Sequence, residues 1–258
     1  MEKYEVFKKQ VKELIDIDLN LYKEKQMKRR IGSLVTRNNF KDFDDYFISL
    51  KNNEELLNEF VNYLTINVSE FYRNPKQWEV LEKYILSGLI KKKDKPLRIW
   101  SSACSTGEEP YSMVMLLSKF FNLKDINILA TDIDMEAIKK AKIGIYNKKA
   151  LGNLPIEFKN KYFSPLKSNY RIKDEIKECV KFEKMDLLKD SFPKNIDLII
   201  CRNVMIYFTE EGKELLYEKF YNSLSDEGIL FVGSTEQIIL PDRYNFKPVR
   251  TFFYRKII

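Results

Sequence analysis

Histidine is absent from the 258-residue chain. That removes the imidazole base and the commonest side-chain metal ligand together. Cysteine is scarce too: Cys104, Cys179 and Cys201 lack zinc-site spacing, and their odd number does not make a disulfide framework. No apolar run approaches the roughly 18 residues that mark a membrane span. The opening MEKYEVFKKQ has no signal-peptide pattern. Neither G-x-G-x-x-G nor G-x-x-x-x-G-K-[ST] occurs, so the usual glycine-rich phosphate cradles are missing. These absences lead to the expectation of a reduced, cytoplasmic, metal-free protein. The hydrophobic content of 44% allows a substantial core. The length allows one large domain, or a medium domain with a small one.

The most informative stretch present is Leu97–Met113, LRIWSSACSTGEEPYSM. A short apolar strand signal gives way to a loop of small residues from Ser101 to Gly107. Tyr111, Met113, Leu116 and Leu117 then recur at helical spacing, with Pro110 in the first turn, where its missing N–H costs nothing. In an open α/β sheet such a strand–loop–helix junction is where ligands bind. Glu108 and Glu109 would repel a phosphate. They suit a ligand with a cationic centre and hydroxyls, a description that S-adenosylmethionine (SAM) fits.

Residues 1–62 predict a small all-helical domain. Tyr4, Phe7, Val11, Leu14 and Ile15 have helical spacing, as do Met27, Ile31, Leu34 and Val35 in a second helix from about Lys23 to Arg37. Phe43–Leu50 and Leu56–Leu64 supply two more. The formal charge of +7 reads either as a lysine-rich solvated surface or as a preference for an acidic partner. The second helix localises part of it: Lys23, Lys25, Lys28, Arg29, Arg30, Arg37 and Lys41 face only Glu24. Lys23, Arg30 and Arg37 are seven apart and share one side. Nucleic acid and an acidic coiled-coil helix are equally good physical partners for that side.

Residues 63–96 read as a linker. Asn74-Pro75 ends an irregular segment, and Trp78, Leu81, Ile85 and Leu86 mark the helix that follows. The segment reads either as a loop between domains with Phe71 and Tyr72 buried in the joint, or as one from which Arg73 projects into a cleft. Farther on, Ile126–Asp134 reads as a buried strand ending in acids. An acid at such a strand end suits two ribose hydroxyls, and Asp132 and Asp134 compete for that role; Asp134 also fits the cap of a helix over Met135–Lys142. Residues 144–183 interrupt the βα rhythm, and Tyr170–Ile172 with Cys179–Glu183 are expected as antiparallel strands. Ile196–Ile200 is apolar enough for a central parallel strand ending in Cys201-Arg202-Asn203. A helix over Leu215–Leu224, a turn at Ser225–Gly228, a strand to Gly233 and an edge strand at Thr251–Lys256 complete the chain.

Several of these stretches together resemble the CheR family, the chemotaxis receptor glutamate methyltransferases. The run Ala103–Ser112 is similar to that family's cofactor loop, and Thr65–Arg73 to its T-x-N-x-[ST]-x-F-[FY]-R motif. Ala130–Asp134 is similar to A-[ST]-D-I-D, and Cys201–Phe208 matches C-R-N-V-[ML]-I-Y-F in full. Lys184–Leu188 resembles the segment that contacts adenine in the family. Three departures stand out: Val68 occupies a position where many relatives have Glu, Asp186 stands where the usual residue is Asn, and Gly233-Ser234-Thr235-Glu236 replaces G-H-S-E.

The resemblance implies an α/β fold. Its parts are a Rossmann-like SAM-dependent methyltransferase domain over 97–258, the helical domain over 1–62, and an inserted antiparallel β-subdomain at about 144–183. The linker 63–96 contributes to the active site. It implies Asn67, Ser69, Arg73, Ala103, Glu108, Asp132, Asp186, Leu187, Asn203 and Val204 as cofactor contacts, and Arg73 and Tyr207 as catalytic residues. Arg30 and Arg37 become substrate-recognition residues facing the cytoplasmic helical domain of methyl-accepting receptors. The products would be a glutamyl methyl ester and S-adenosylhomocysteine, with no metal, no nucleic acid, no membrane insertion and a monomeric enzyme. The Ser164–Asn169 connection is short and lacks glycine, so docking of a receptor tether peptide on the insert is not expected. Two other classes remain as alternatives. One is a non-catalytic SAM- or receptor-binding module, which Arg73, Asn203 and Tyr207 argue against. The other is a nucleic-acid methyltransferase, which would need the [ND]-P-P-[YF] signature this chain lacks.

Overall fold

The structure, a computed structural model, describes residues 3–65, 69–92 and 96–257. The chain forms two compact units, one of residues 1–66 with 204–215, the other of residues 67–203 with 216–258.

The first unit is helical: Lys3–Ile15, Glu24–Arg37, Phe43–Asn52 and Glu54–Leu64. Two helix starts follow from local chemistry. Asp42 accepts from the amides of Asp44 and Asp45, and Asn53 from that of Leu56, satisfying N–H groups that a helix leaves orphaned. The apolar faces meet around Phe7, whose ring lies 5.2 Å from Phe43 and 5.9 Å from Phe60. Residues 204–215 join this unit through the backbone: Lys23 N–H donates to the Tyr207 carbonyl and Thr209 N–H to that of Leu21, both at 2.9 Å. The Phe208 ring packs on Tyr22 at 5.1 Å.

The second unit carries ten strands among the described residues. They are β1 (Ile99–Ser101), β2 (Ile128–Asp132), β3 (Ile145–Asn147), β4 (Phe163–Leu166), β5 (Asn169–Ile172), β6 (Val180–Lys184), β7 (Ile196–Cys201), β8 (Leu224–Val232), β9 (Phe246–Arg250) and β10 (Phe253–Lys256). Seven form one sheet in the order β6-β2-β1-β7-β8-β10-β9. The first five run parallel, and β10 and β9 close the sheet antiparallel. Every residue of β7 is buried, Asp197 included, and its apolar stretch Leu198–Cys201 is what a central strand covered on both faces requires. The order reverses at β1, which lies between β2 and β7; the crevice at the carboxyl ends of these strands is the ligand position of such sheets.

Two expectations are corrected. Tyr170–Ile172 and Cys179–Glu183 do not pair. β5 lies between β3 and β4 in a small antiparallel sheet, whereas β6 runs parallel to β2, with Ile128 opposite Val180. Alternating apolar residues fix which face of a strand is buried and leave its partner open. The turn expected at Ser225–Gly228 lies within β8 as an irregularity: Ile196 pairs with Leu224 and Leu198 with Ile229, with Glu227 at φ 59°. Extra residues on one strand give a bulge, and the ladder continues past it.

Candidate active site

Small residues let the loop after β1 fold back onto the neighbouring strand ends. Ser102 N–H donates to the Ile200 carbonyl of β7, and Cys104 N–H to the Thr131 carbonyl of β2, both at 2.9 Å. The Trp100 indole donates to Thr131 Oγ1 at 2.9 Å, and that hydroxyl donates to the Ser102 carbonyl at 3.1 Å. Gly107 closes the loop at φ 93°, and a Cβ there would lie 2.8 Å from that of Ala141 and 3.1 Å from the Tyr146 hydroxyl oxygen. Only glycine meets both demands.

Asp132 ends β2 and is 7% exposed. Its Oδ2 accepts from Ser105 N–H at 2.7 Å and its Oδ1 from Asp134 N–H at 3.0 Å. The two oxygens together offer four acceptor positions, so the carboxylate retains capacity to accept from a hydroxyl such as that of a ribose. Burial pushes its carboxyl up to about 6 against the pull of those amides. Asp134 turns away and caps the helix Met135–Ile143 through the amides of Glu136 and Ala137. Glu108 is also buried; its carboxylate accepts from Thr106 Oγ1 at 2.7 Å and from the Ser69 hydroxyl, and burial raises its pKa. Past β6, Asp186 is half-buried, its pKa raised by burial and its Oδ1 accepting from Leu188 N–H, while Leu187 is buried beside it. Past β7, Asn203 has a left-handed backbone at φ 62°.

The carboxyl edge therefore gathers Ala103, Glu108, Asp132, Asp186, Leu187 and Asn203 within one unit, with Ser69 reaching Glu108. Asn67 lies outside the described residues. Val204 and Tyr207 belong to the helical unit, where Tyr207 N–H donates to the Val204 carbonyl at 3.2 Å. In that unit Arg30 donates to the Tyr63 carbonyl, and its guanidinium lies 4.9 Å from the Tyr63 ring centre; that of Arg37 lies 5.2 Å from the same ring. Arg37 also pairs with Glu59. Cys104 and Cys201 are buried, and burial pushes both thiols well up, which leaves them inert. Among the described residues no helix is long and apolar enough to cross a membrane.

Sequence reasoning missed the residues that fasten this edge together. Glu109, expected to face a ligand, instead accepts from Ser101 Oγ at 2.8 Å and pairs with Arg202 at 3.4 Å. Burial raises its pKa while Arg202 opposes the rise. Arg202 also donates to Gln77 Oε1 and to the Arg73 carbonyl, each at 2.8 Å. The G-E-E and C-R-N runs contained the signal for this pairing, but nothing local links residue 109 to residue 202.

Comparison with known proteins covers nearly the whole length of the chain. The family model for the CheR methyltransferase SAM binding domain matches residues 67–253, and that for the CheR methyltransferase all-alpha domain matches residues 2–65. The chain belongs to the CheR methyltransferase family. A chemotaxis protein methyltransferase of Listeria innocua is 42% identical across 98% of this chain and 97% of its own length. The chemotaxis protein methyltransferase of Borreliella burgdorferi is 35% identical across 86% and 83%, and that of Escherichia coli 33% across 81% and 73%. The residues at the carboxyl edge fit the SAM of a CheR domain: acidic acceptors for hydroxyls and a cation, and an amide at Asn203.

Proposed function

We propose that this CheR-family methyltransferase transfers a methyl group from SAM to glutamate side-chain carboxylates in the cytoplasmic helical domain of chemoreceptors, as a step of chemotactic adaptation. The observation that carries the reading is the position of Arg73. Its carbonyl is tied to Arg202, immediately past β7, so the residue sits on a turn beside the strand ends that offer Asp132 and Asn203. In this reading residues 63–96 are the segment that brings Arg73 to the site, 1–62 the receptor-recognition domain and 97–258 the catalytic domain.

When bound, SAM supplies an activated methyl group on a sulfonium centre. Asp132 would hold the ribose hydroxyls, Asp186 and Leu187 the adenine, and Asn203, Glu108 and Ser69 the remaining polar groups. A glutamate side chain with an ordinary pKa near 4 is already ionised at neutral pH. It is already a nucleophile, and a chain without histidine lacks nothing that the step needs. What this chain must contribute is position and field. The planar fork of Arg73 can hold one oxygen of the substrate carboxylate and leave the other to attack, a geometry that a lysine ammonium does not impose. The Tyr207 hydroxyl would orient the same carboxylate. Arg30 and Arg37 would meet the acidic faces of receptor helices.

Incubation with methyl-labelled SAM and receptor cytoplasmic fragments tests the reading. Alkali-labile label on the receptor, released as methanol, is expected. Arg73→Ala should lower kcat/KM by about 2–5 kcal/mol, as when one partner of a buried charged pair is removed. Arg73→Lys should recover part of that, and Tyr207→Phe should lose less. Near wild-type turnover by Arg73→Ala with SAM affinity intact would rule the assignment out.

A further inference from the structure

The turn that carries Arg73 is strained on both sides. Tyr72 stands at φ 53° and Asn74 at φ 61°, a left-handed backbone that is costly for a bulky tyrosine. Such conformations persist only where the surroundings over-determine them. Here they do. Tyr72 N–H donates to Ser112 Oγ at 3.1 Å, and that hydroxyl donates to the Glu108 carbonyl at 2.6 Å. The Asn74 carbonyl accepts from Gln77 N–H at 2.9 Å. Between them the Arg73 carbonyl accepts twice, from the Trp78 indole at 3.1 Å and from Arg202 Nη2 at 2.8 Å.

Arg202 is built into this position. Its side chain is 2% exposed. Its guanidinium lies 4.8 Å from the centre of the Phe231 ring and 5.8 Å from that of Trp78. One end of the fork meets the Glu109 carboxylate and the other spans Gln77 and the Arg73 carbonyl, while Nε has no hydrogen-bond partner among the described residues. A buried ion pair with an unsatisfied donor is poor value for stability, since an apolar replacement of similar volume is often no worse. What the fork does achieve is geometric. It links the end of β7, the helix that begins at Glu108 and the Arg73 turn through a single rigid plane.

We propose that Arg202 is the positioning residue for Arg73: with Ser112 as the second tie, it holds the strained turn so that the Arg73 side chain is presented to the substrate carboxylate. The inference rests on the reading of Arg73 given above. Arg202 touches neither substrate nor reacting atoms; it acts through the Arg73 backbone. A lysine at 202 keeps the charge opposite Glu109 but, as a point charge on a flexible stem, cannot serve Gln77 and the Arg73 carbonyl in the same fixed plane.

The chain's two tryptophans make the test specific. The Trp78 indole N–H binds the Arg73 carbonyl, whereas the Trp100 indole N–H binds Thr131 in the sheet. In nitrogen-15 spectra of the full-length protein, Arg202→Lys should move the Trp78 indole peak and speed its exchange with water, leaving that of Trp100 in place. On receptor fragments at saturating SAM, kcat should fall about 10- to 100-fold, the scale of a misplaced catalytic group, and the loss should exceed any change in SAM Kd. In an Arg73→Ala background the same substitution should cost less than about twofold, because the group it positions has gone. Should Arg202→Lys fail to fold, Ser112→Ala loosens the same turn from its other end and should give the same pattern in milder form. An Arg202→Lys enzyme with wild-type kcat, or losses that multiply in the double variant, would overturn the inference while leaving the reading of Arg73 standing. An Arg73→Ala enzyme with full activity would remove both.

Discussion

Glu236 accepts from the backbone amide of Asn203 at 2.6 Å and, through the same oxygen, from that of Gly233 at 2.8 Å. One buried carboxylate thus joins the end of β8 to the left-handed residue that follows β7. Gly233 leaves no room for change: a Cβ there would lie 2.3 Å from Glu236 Oε2 and 2.9 Å from the Asn203 nitrogen. Gly233→Ala should therefore displace Asn203 and weaken SAM binding. Glu236→Ala should destabilise the protein by about 1–3 kcal/mol for each amide left without an acceptor. Urea unfolding and calorimetry measure these effects. An unchanged midpoint in Glu236→Ala would show that solvent replaces the carboxylate.

Asp132 should account for a measurable part of SAM affinity. Its two oxygens accept from the Ser105 and Asp134 amides and keep acceptor capacity beyond them. Asp132→Ala should lose about 1.5–3 kcal/mol of binding free energy, the range for hydrogen bonds to a charged group. Titration calorimetry in the presence of EDTA checks this. Binding that vanishes in EDTA, or that survives the substitution at full strength, would contradict it.

The same residue should make stability depend on pH. Its carboxyl is raised from 3.8 to about 6 in the folded protein, chiefly by burial. Between pH 4 and 6 the folded chain holds a proton that the unfolded chain has released, so stability rises as pH falls through this window and is lost as pH climbs back. The contribution is on the order of 3 kcal/mol. The difference in unfolding free energy between wild type and Asp132→Asn, followed across this window, isolates it from Glu108 and Glu109, which burial also raises. Ribose hydroxyls favour the ionised carboxylate, so SAM binding near pH 6 should release a proton. Calorimetry in buffers of different ionisation enthalpy would detect it; proton uptake there would refute the assignment.

The basic helix yields a prediction that the structure sharpens. Arg30 and Arg37 both lie against the Tyr63 ring. Arg30→Ala with Arg37→Ala should slow receptor methylation, leave SAM binding unchanged, and matter less at high salt, where exposed charges are screened. Tyr63→Leu keeps both charges but removes the face that aligns them, and should reproduce part of the loss. Equal rates for all variants on full receptor at low salt would exclude a recognition role.

Much of this protein was legible in its sequence because the relevant information is local. Helical spacing around Phe7 and Ile31, the small-residue loop before Glu108, the apolar run of β7 and the acid ending β2 each state a conformation within a few residues. Cap residues such as Asp42 and Asp134 do the same through hydrogen bonds three residues long. Tertiary structure alone decided the partners. The sequence marked Cys179–Glu183 as a strand but could not say that β2 would be its neighbour, because strand pairing is settled by which edge the rest of the sheet leaves open. The two glutamates of the loop looked equivalent. Folding turned Glu109 onto Ser101 and Arg202, and Glu108 onto Thr106 and Ser69. A buried charge must find its counter-charge wherever the chain brings one, and for Glu109 that was 93 residues away.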